Sequence, residues 1–458
     1  MNEVMIIPAQ DATIGQEREK LEAICLSGLE WAHKSGAEEA EIVLSHGKGT
    51  EAGVRDGQPE NLTRSQTNNM AVTVYAAGRK GTASVHSLSV DTIRQTVEKA
   101  IAVARFTQPD DFGGLAEPEQ RQIADADLPD LGLWRPWAVS PAMMFDIACE
   151  AEAAGLATDE RIRRCAQASI TSTAKQVVRV NSNGFVGYHA MTRHQLSASF
   201  IAENSSGQQK DGEYDVTCDP ALLASPAALG AKAAALALGR LDARSLTTRT
   251  CPVLFTPEMA ARFWNDVLDV LSGPALYSGR SFLAGRLGEK LTPDFVTITE
   301  KPHIWQGTGS RHYDDDGLLR QDAPIISEGV LRRYVLDSYA ARRLGMQSTH
   351  NAGGISNMVV AGEGPESMAE MIAGLNRGLV VTSIMGHGFD GASGDYSVGV
   401  TGMWVEHGEI VHAVEGVTIA AQVPDMLAGI VAISKDHDRR GKIRTGALLL
   451  DKMTVAGI

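Results

Sequence analysis

The chain has 458 residues, with 42 Lys and Arg against 56 Asp and Glu, a formal net charge of −14. This balance argues against broad contact with a phosphate backbone, where affinity comes from neutralising phosphates with cations, and the length favours two or three domains over a single core. Hydrophobic residues make up 43% and charged residues 21%, as in ordinary globular proteins; no apolar run reaches the roughly 18 residues a membrane span needs, and Met1–Gly15 lacks the basic and apolar regions of a secretory leader.

In chain order, residues 14–35 show helical periodicity, with Leu21, Ile24, Cys25, Leu29 and Ala32 on one face. Ala40–Leu44 is β-rich, Asp56-Gly57 reads as a turn, and Val72–Tyr75 and Gly81–Val85 read as strands. A helix follows over Ser89–Phe106, capped by Ser89 or Asp91. Residues 107–138 are rich in Pro, Asp and Gly and read as a linker or a long surface excursion. Ser140-Pro141 opens a helix to Ala154. Strands are expected at 162–173, 175–181, 185–202 and 211–217, with Asn181–Gly184 as a turn, and an Ala- and Leu-rich helix at 220–240. From Thr250 onward glycine is dense and short β-like segments alternate with turns, with helices at 257–271, 337–344 and 367–375. The fold class is therefore α+β: an N-terminal mixed α/β region (1–110), a central α+β region (111–245) and a large β-rich, Gly-dense, sandwich- or barrel-like C-terminal domain (246–458).

Local signals for chemistry are sparse. None of the 12 His is followed by Glu, so H-E-x-x-H is absent. The pairs His189/His194 and His407/His412 fall in expected strands at spacings that point them to opposite faces. Cys25, Cys149, Cys165, Cys218 and Cys251 form no C-x-x-C pair, which points to a reduced cytoplasm instead of a disulfide framework or a zinc ribbon. There is no nucleophile elbow and no phosphate loop, and Gly386-His387-Gly388 and Gly399-x-x-Gly402 sit among β segments, not at a strand–helix junction. Asp314-Asp315-Asp316-Gly317 could meet a hard cation but lacks the alternating ligands of a calcium loop, and reads as an acidic turn before a strand. Asp266 and Asp269 share a helix face, either as an exposed acidic stripe or, in a cleft, as an acid/base pair. The basic run Lys435–Lys442, broken by two Asp, reads as a solvated turn, with a phosphate- or carboxylate-binding patch as the alternative.

The last third carries more specific patterns. Ser338-Tyr-Ala-Ala-Arg-Arg-Leu-Gly345 is followed by Ser348-Thr-His-Asn-Ala-Gly-Gly-Ile-Ser-Asn357, then by Gly386-His-Gly-Phe-Asp390, Gly394-Asp-Tyr-Ser397, Gly402-Met-Trp-Val-Glu406 and Gly446-Ala-Leu-Leu-Leu450. With Arg79–Ser84 and Thr192–Ser197 upstream, their order and spacing over residues 35–458 resemble the TldE/PmbA-type chains of the TldD/TldE zinc-peptidase family, once labelled modulators of DNA gyrase.

The resemblance implies a non-catalytic, zinc-free subunit of a heterodimeric metallopeptidase acting on unfolded or short peptides, with zinc held by a TldD-type partner. In TldD-type chains an H-E-x-x-x-H helix motif and a downstream Cys hold the metal. Laid along this chain, the two His positions fall on Asn265 and Val270, the Glu position on Asp266, and the Cys position at or beside Thr445. Gly353-Gly354-Ile355-Ser356-Asn357 becomes the candidate for backbone lying against peptide, or else only a tight turn. Two rival readings are a homodimeric peptide-binding or regulatory protein, and a free-standing hydrolase using Asp266, Asp269 and a distant His303 or His387.

Overall fold

The computed structural model describes residues 11–87, 89–117 and 128–457. The leader reading of the first ten residues, and the 118–127 part of the 107–138 excursion, lie outside the described residues.

The first half runs α1 (Asp11–Lys34), β1 (Glu39–Arg55), β2 (Gln58–Ala76), β3 (Arg79–Val85), α2 (Val90–Ala104), α3 (Pro141–Leu156), β4 (Ile162–Asn181), β5 (Val186–Asn204), β6 (Gly207–Thr217) and α4 (Pro226–Gly239). Its six strands form one half-barrel sheet in the order β3-β2-β1-β4-β5-β6. The β1–β4 ladder, from Glu41↔Asn181 to Val54↔Ala168, joins the first expected region to the second. Side chains alternate between the faces of each strand. Ile42, Leu44, Val72, Val74, Val178 and Val180 bury against α1 and α2, and Ile170, Leu196 and Phe200 against α3 and α4. Intervening residues such as Val43, Val177 and Arg179 face the second half of the chain.

The strands outrun their hydrophobic signal. β1 and β2 form a long hairpin where only Ala40–Leu44 and Val72–Tyr75 read as strand, because Gly47, Gly49 and a polar stretch over residues 60–69 carry no alternation. Likewise β4 continues through Ala174, which pairs with both Lys48 and Thr192, instead of breaking there. β2 pairs with β3 only over Met70–Ala76; residues 58–69 have β1 as their one neighbour among the described strands. The hairpin tip is held: both oxygens of the buried Glu152 on α3 accept backbone N–H groups, from Asp56 at 2.9 Å and Gly57 at 2.7 Å.

The second half contains β7 (Arg249–Phe255), α5 (Pro257–Val270), α6 (Gly273–Tyr277), β8 (Thr297–Glu300), β9 (Ala323–Ser327), β10 (Val330–Leu331), α7 (Ser338–Leu344), β11 (Met358–Ala361), α8 (Met368–Gly374), β12 (Arg377–Met385), β13 (Asp395–Glu406), β14 (Glu409–Gln422), α9 (Val423–Ala428), β15 (Ile430–Ile433), β16 (Ile443–Arg444) and β17 (Leu448–Ala456). The order β14-β13-β12-β7-β17-β15 closes through β14–β17 pairing at Thr418↔Ala456, so the β-rich domain is a barrel. A second sheet runs β10-β9-β8-β11-β16. The α+β reading with a β-rich C-terminal domain holds. The expected helix over 220–240 divides into a short turn at Pro220–Leu222 and α4, because Ser225-Pro226 starts a new helix. The same Ser/Thr-then-Pro start opens α3 and α5, with the hydroxyls of Ser140 and Thr256 accepting from the third amide of each helix.

The loops around the five-stranded sheet converge on one buried carboxylate. Glu300, at the end of β8 and 2% exposed, accepts from Arg320 at 2.8 Å, Arg333 at 3.2 Å, Asn351 at 2.8 Å, and the amide and hydroxyl of Ser356 at 2.9 and 2.8 Å. Arg320 also donates to the carbonyls of Ala352 and Gly354, at 3.0 and 2.7 Å. Removing one member of such a network strands a buried charge, whereas removing both ions does not. Glu300→Ala is therefore expected to cost about 3–5 kcal/mol in urea unfolding, and Glu300→Met with Arg320→Met distinctly less; a double variant as unstable as the single one would contradict the assignment.

Candidate functional site

On α5 the apolar positions Phe263, Trp264, Val267, Leu268 and Val270 enter the core, which turns Asn265, Asp266 and Asp269 outward. Burial, then the negative charge of Asp269, pushes Asp266 up to about 6. The charges of Arg262 and His387 oppose this, and Arg262 is fixed by the carbonyls of Ile384 at 2.7 Å and Gly386 at 2.6 Å. Asp269 is raised by burial and drawn back by Lys442. The structure thus brings Asp266, Asp269 and His387 into one neighbourhood. His303 lies elsewhere, its ring 5.5 Å from that of His312.

The three positions that resemblance aligns with metal ligands are differently disposed. Asn265 is exposed, Val270 is 2% exposed within the core, and the fully buried Thr445 donates its hydroxyl to the Gly446 carbonyl at 3.1 Å. An amide, a hydrocarbon and an occupied hydroxyl are not a zinc donor set, which requires thiolate, imidazole or carboxylate. Among the described residues, no group of three or more His, Cys, Asp or Glu is placed to hold a metal ion.

The segment Gly353–Asn357 is largely engaged internally. Ile355, Ser356 and Asn357 are buried; Ser356 belongs to the Glu300 network, and Asn357 bonds the Gly309 amide at 3.0 Å, the Lys301 carbonyl at 2.9 Å and the Ser310 hydroxyl at 2.7 Å. Gly353 and Gly354 take φ of 75° and 84°, which favours glycine, and a Cβ on Gly353 would lie 2.2 Å from the Asp315 carboxylate. The acidic run is a turn whose carboxylates are each occupied: Asp314 accepts from the amides of Asp316, Leu318 and Ala352, Asp315 pairs with Arg179 at 3.1 Å, and Asp316 accepts from the Ser338 amide at 2.8 Å. Burial pushes Asp314 up to about 7.

Lys435–Lys442 is exposed at most positions, as a solvated stretch would be, but Arg440 is tied down. Arg440 pairs with Asp438 and Glu213 at 2.7 Å each, reaches Glu258 at 3.3 Å and covers the Tyr214 ring at 4.4 Å. Its partners on β6 and α5 make the run a clasp between the two halves of the molecule. Lys442, at its end, lines a cavity of about 560 Å³ between the half-barrel sheet and the C-terminal domain. One wall is built from alternate residues of β1, β4 and β5, including Val43, Val177 and His189; the other carries Arg311, His312 and Ile355. No local motif marks this cavity, because its walls come from seven separated segments; of its charged residues, only Lys442 and the acidic run were visible as candidates.

Three family profiles match in series: PmbA/TldA metallopeptidase domain 1 over residues 40–104, the central domain over 134–241, and the C-terminal domain over 248–457. The chain belongs to the PmbA/TldD metallopeptidase family. It is 37% identical to metalloprotease PmbA of Escherichia coli O157:H7, across 96% of this chain and 97% of that one. In fold it is similar to the crystal structure of a candidate modulator of DNA gyrase from Bacteroides thetaiotaomicron (TM-score 0.90, 24% identity, 95% and 98% of the two chains). TldE from Thermococcus kodakarensis is also similar (TM-score 0.81, 20% identity, 94% and 99%).

Asp266 holds its proton more tightly in the folded state than at its ordinary value of 3.8. The stabilisation this gives is present below that value and is lost as pH rises through about 6. Asp266→Asn is expected to flatten this decline in unfolding free energy between pH 4 and 7, and Asp269→Asn to lower the Asp266 pKa in a carboxyl NMR titration. An unchanged pH slope in Asp266→Asn would be inconsistent with the assigned environment.

Proposed function

We propose that this chain is the zinc-free, non-catalytic subunit of a cytoplasmic TldD/TldE-type peptidase, completing a peptide-binding chamber with a TldD-type partner that carries the metal. The observation that carries the reading is the side chain of Val270, a hydrocarbon buried in the core where the resemblance puts a metal-binding His. Family membership supports a peptidase setting. The unpartnered edge of β2 over residues 58–69 supports peptide handling, since an extended chain can add there by main-chain hydrogen bonds. Gly353 and Gly354, at the surface beside the cavity, are a second place where backbone could approach peptide. No helix among the described residues is long and apolar enough to cross a membrane.

The test uses the purified chain, a TldD-type chain and their mixture, each measured for zinc and for hydrolysis of an unstructured peptide. Zinc is expected only in samples containing the partner, with full hydrolysis only in the mixture. Stoichiometric zinc bound around α5 in this chain alone would falsify the reading.

One observation favours a second reading, a self-sufficient hydrolase: Asp266, raised to about 6, sits beside His387, within the range useful for proton transfer near neutral pH. Cleavage by the chain alone that resists chelators and is lost in Asp266→Ala would select it. We expect neither.

A further inference from the structure

The cavity between the two halves is unusual in its charge. The chain as a whole is acidic, at −14, yet this cavity is lined by Lys175, Arg179, Arg311 and Lys442 against Asp314 and Asp315. The anions are already committed. Asp314 spends both oxygens on three backbone amides. Asp315 lies 3.1 Å from Arg179 and 3.4 Å from Arg311, and Arg179 has a second partner in Glu41 at 2.7 Å. Lys175 and Lys442 have no carboxylate within ion-pair distance among the described residues, and Arg311 makes only long contacts, 3.4 Å to Asp315 and 3.3 Å to the Gly353 carbonyl. Crowding shows on the neighbours: burial, then Arg311 and Arg320, lowers Lys442, and burial with Arg311, His312 and Lys175 takes His189 down to about 4. A neutral imidazole and three underused cations thus face a space of about 560 Å³, within the usual range for small-ligand sites.

We infer that this cavity captures the C-terminal carboxylate of a short peptide, with Lys442 and Arg311 as the anion-binding pair and Lys175 opposite. The inference rests on the peptide-handling reading above and adds to it the end of the substrate that this chain grips. The apolar side chains of Val43 and Val177 on one wall and Ile355 on the other suit an organic carboxylate with an adjoining side chain better than a bare inorganic anion. Lys442 also feels the charge of Asp269 on α5, so a carboxylate held there lies beside the helix that, by resemblance, carries the catalytic motif in the partner. A peptide anchored by its terminus would present its last residues at a set depth in the chamber.

The test is isothermal titration of the full chain with trialanine, its C-terminal amide, acetate and inorganic phosphate. Trialanine is expected to bind about tenfold or more tightly than its amide, and Lys442→Met to abolish that preference while circular dichroism stays unchanged. Equal binding of acid and amide would overturn the carboxylate assignment and leave peptide handling intact. Binding by neither form would overturn it too, without touching the subunit reading, which is decided by zinc and activity in the mixed chains. Phosphate competing more strongly than acetate would overturn it in favour of an inorganic anion site.

Discussion

Five donor groups converge on Glu300, and much of the C-terminal half is arranged around them. A carboxylate removed from water is tolerable only when its lone pairs are filled. Here they are filled by residues from three separated stretches: Arg320 and Arg333 flanking β9 and β10, Asn351 in the loop after α7, and Ser356 before β11. Each donor is also a geometric instruction. Arg320 fixes the carbonyls of Ala352 and Gly354, and so sets the course of the Gly-Gly turn. The turn in turn leaves no room for a Cβ beside Asp315, the residue that ties to Arg179 on the half-barrel. The chain of contacts therefore runs from a buried charge, through a loop, to the packing of one half on the other and to the walls of the cavity between them.

The patterns that carried the family resemblance gain a physical meaning from this arrangement. In the segment Ser338–Gly345, Tyr339 donates to Asp110 at 2.8 Å, and Arg342 donates to the carbonyls of Phe112 and Leu115. These residues fasten the irregular excursion after α2 to the second half. In Ser348–Asn357 the polar side chains serve the Glu300 network and the loop at Gly309.

What could be read from the residues alone was local. The three-residue spacing of Asp266 and Asp269 on an expected helix put them on one face, and the Asp56-Gly57 turn was legible as a turn. The extent of β1, β2 and β4 was not, since Gly47, Gly49 and the polar run to Asn69 lack alternation and are held by neighbouring strands instead. Nor could composition reveal that Arg440 would find Asp438, Glu213 and Tyr214, or that Lys442 would stand near Arg311 with no carboxylate at ion-pair distance among the described residues. Those facts depend on distant segments meeting, which no window of sequence encodes.

The grip of Glu152 on the tip of the β1–β2 ribbon has a mechanical side. An edge strand normally frays toward its end, but β2 over residues 58–69 is backed by β1, which is itself paired with β4 as far as Val54, and the turn at its tip is held by a helix. It behaves as a braced beam, and its outer rim keeps its shape whether or not anything lies along it. A guest strand settling on that rim would find the host already ordered, so that the entropy lost on association falls on the guest.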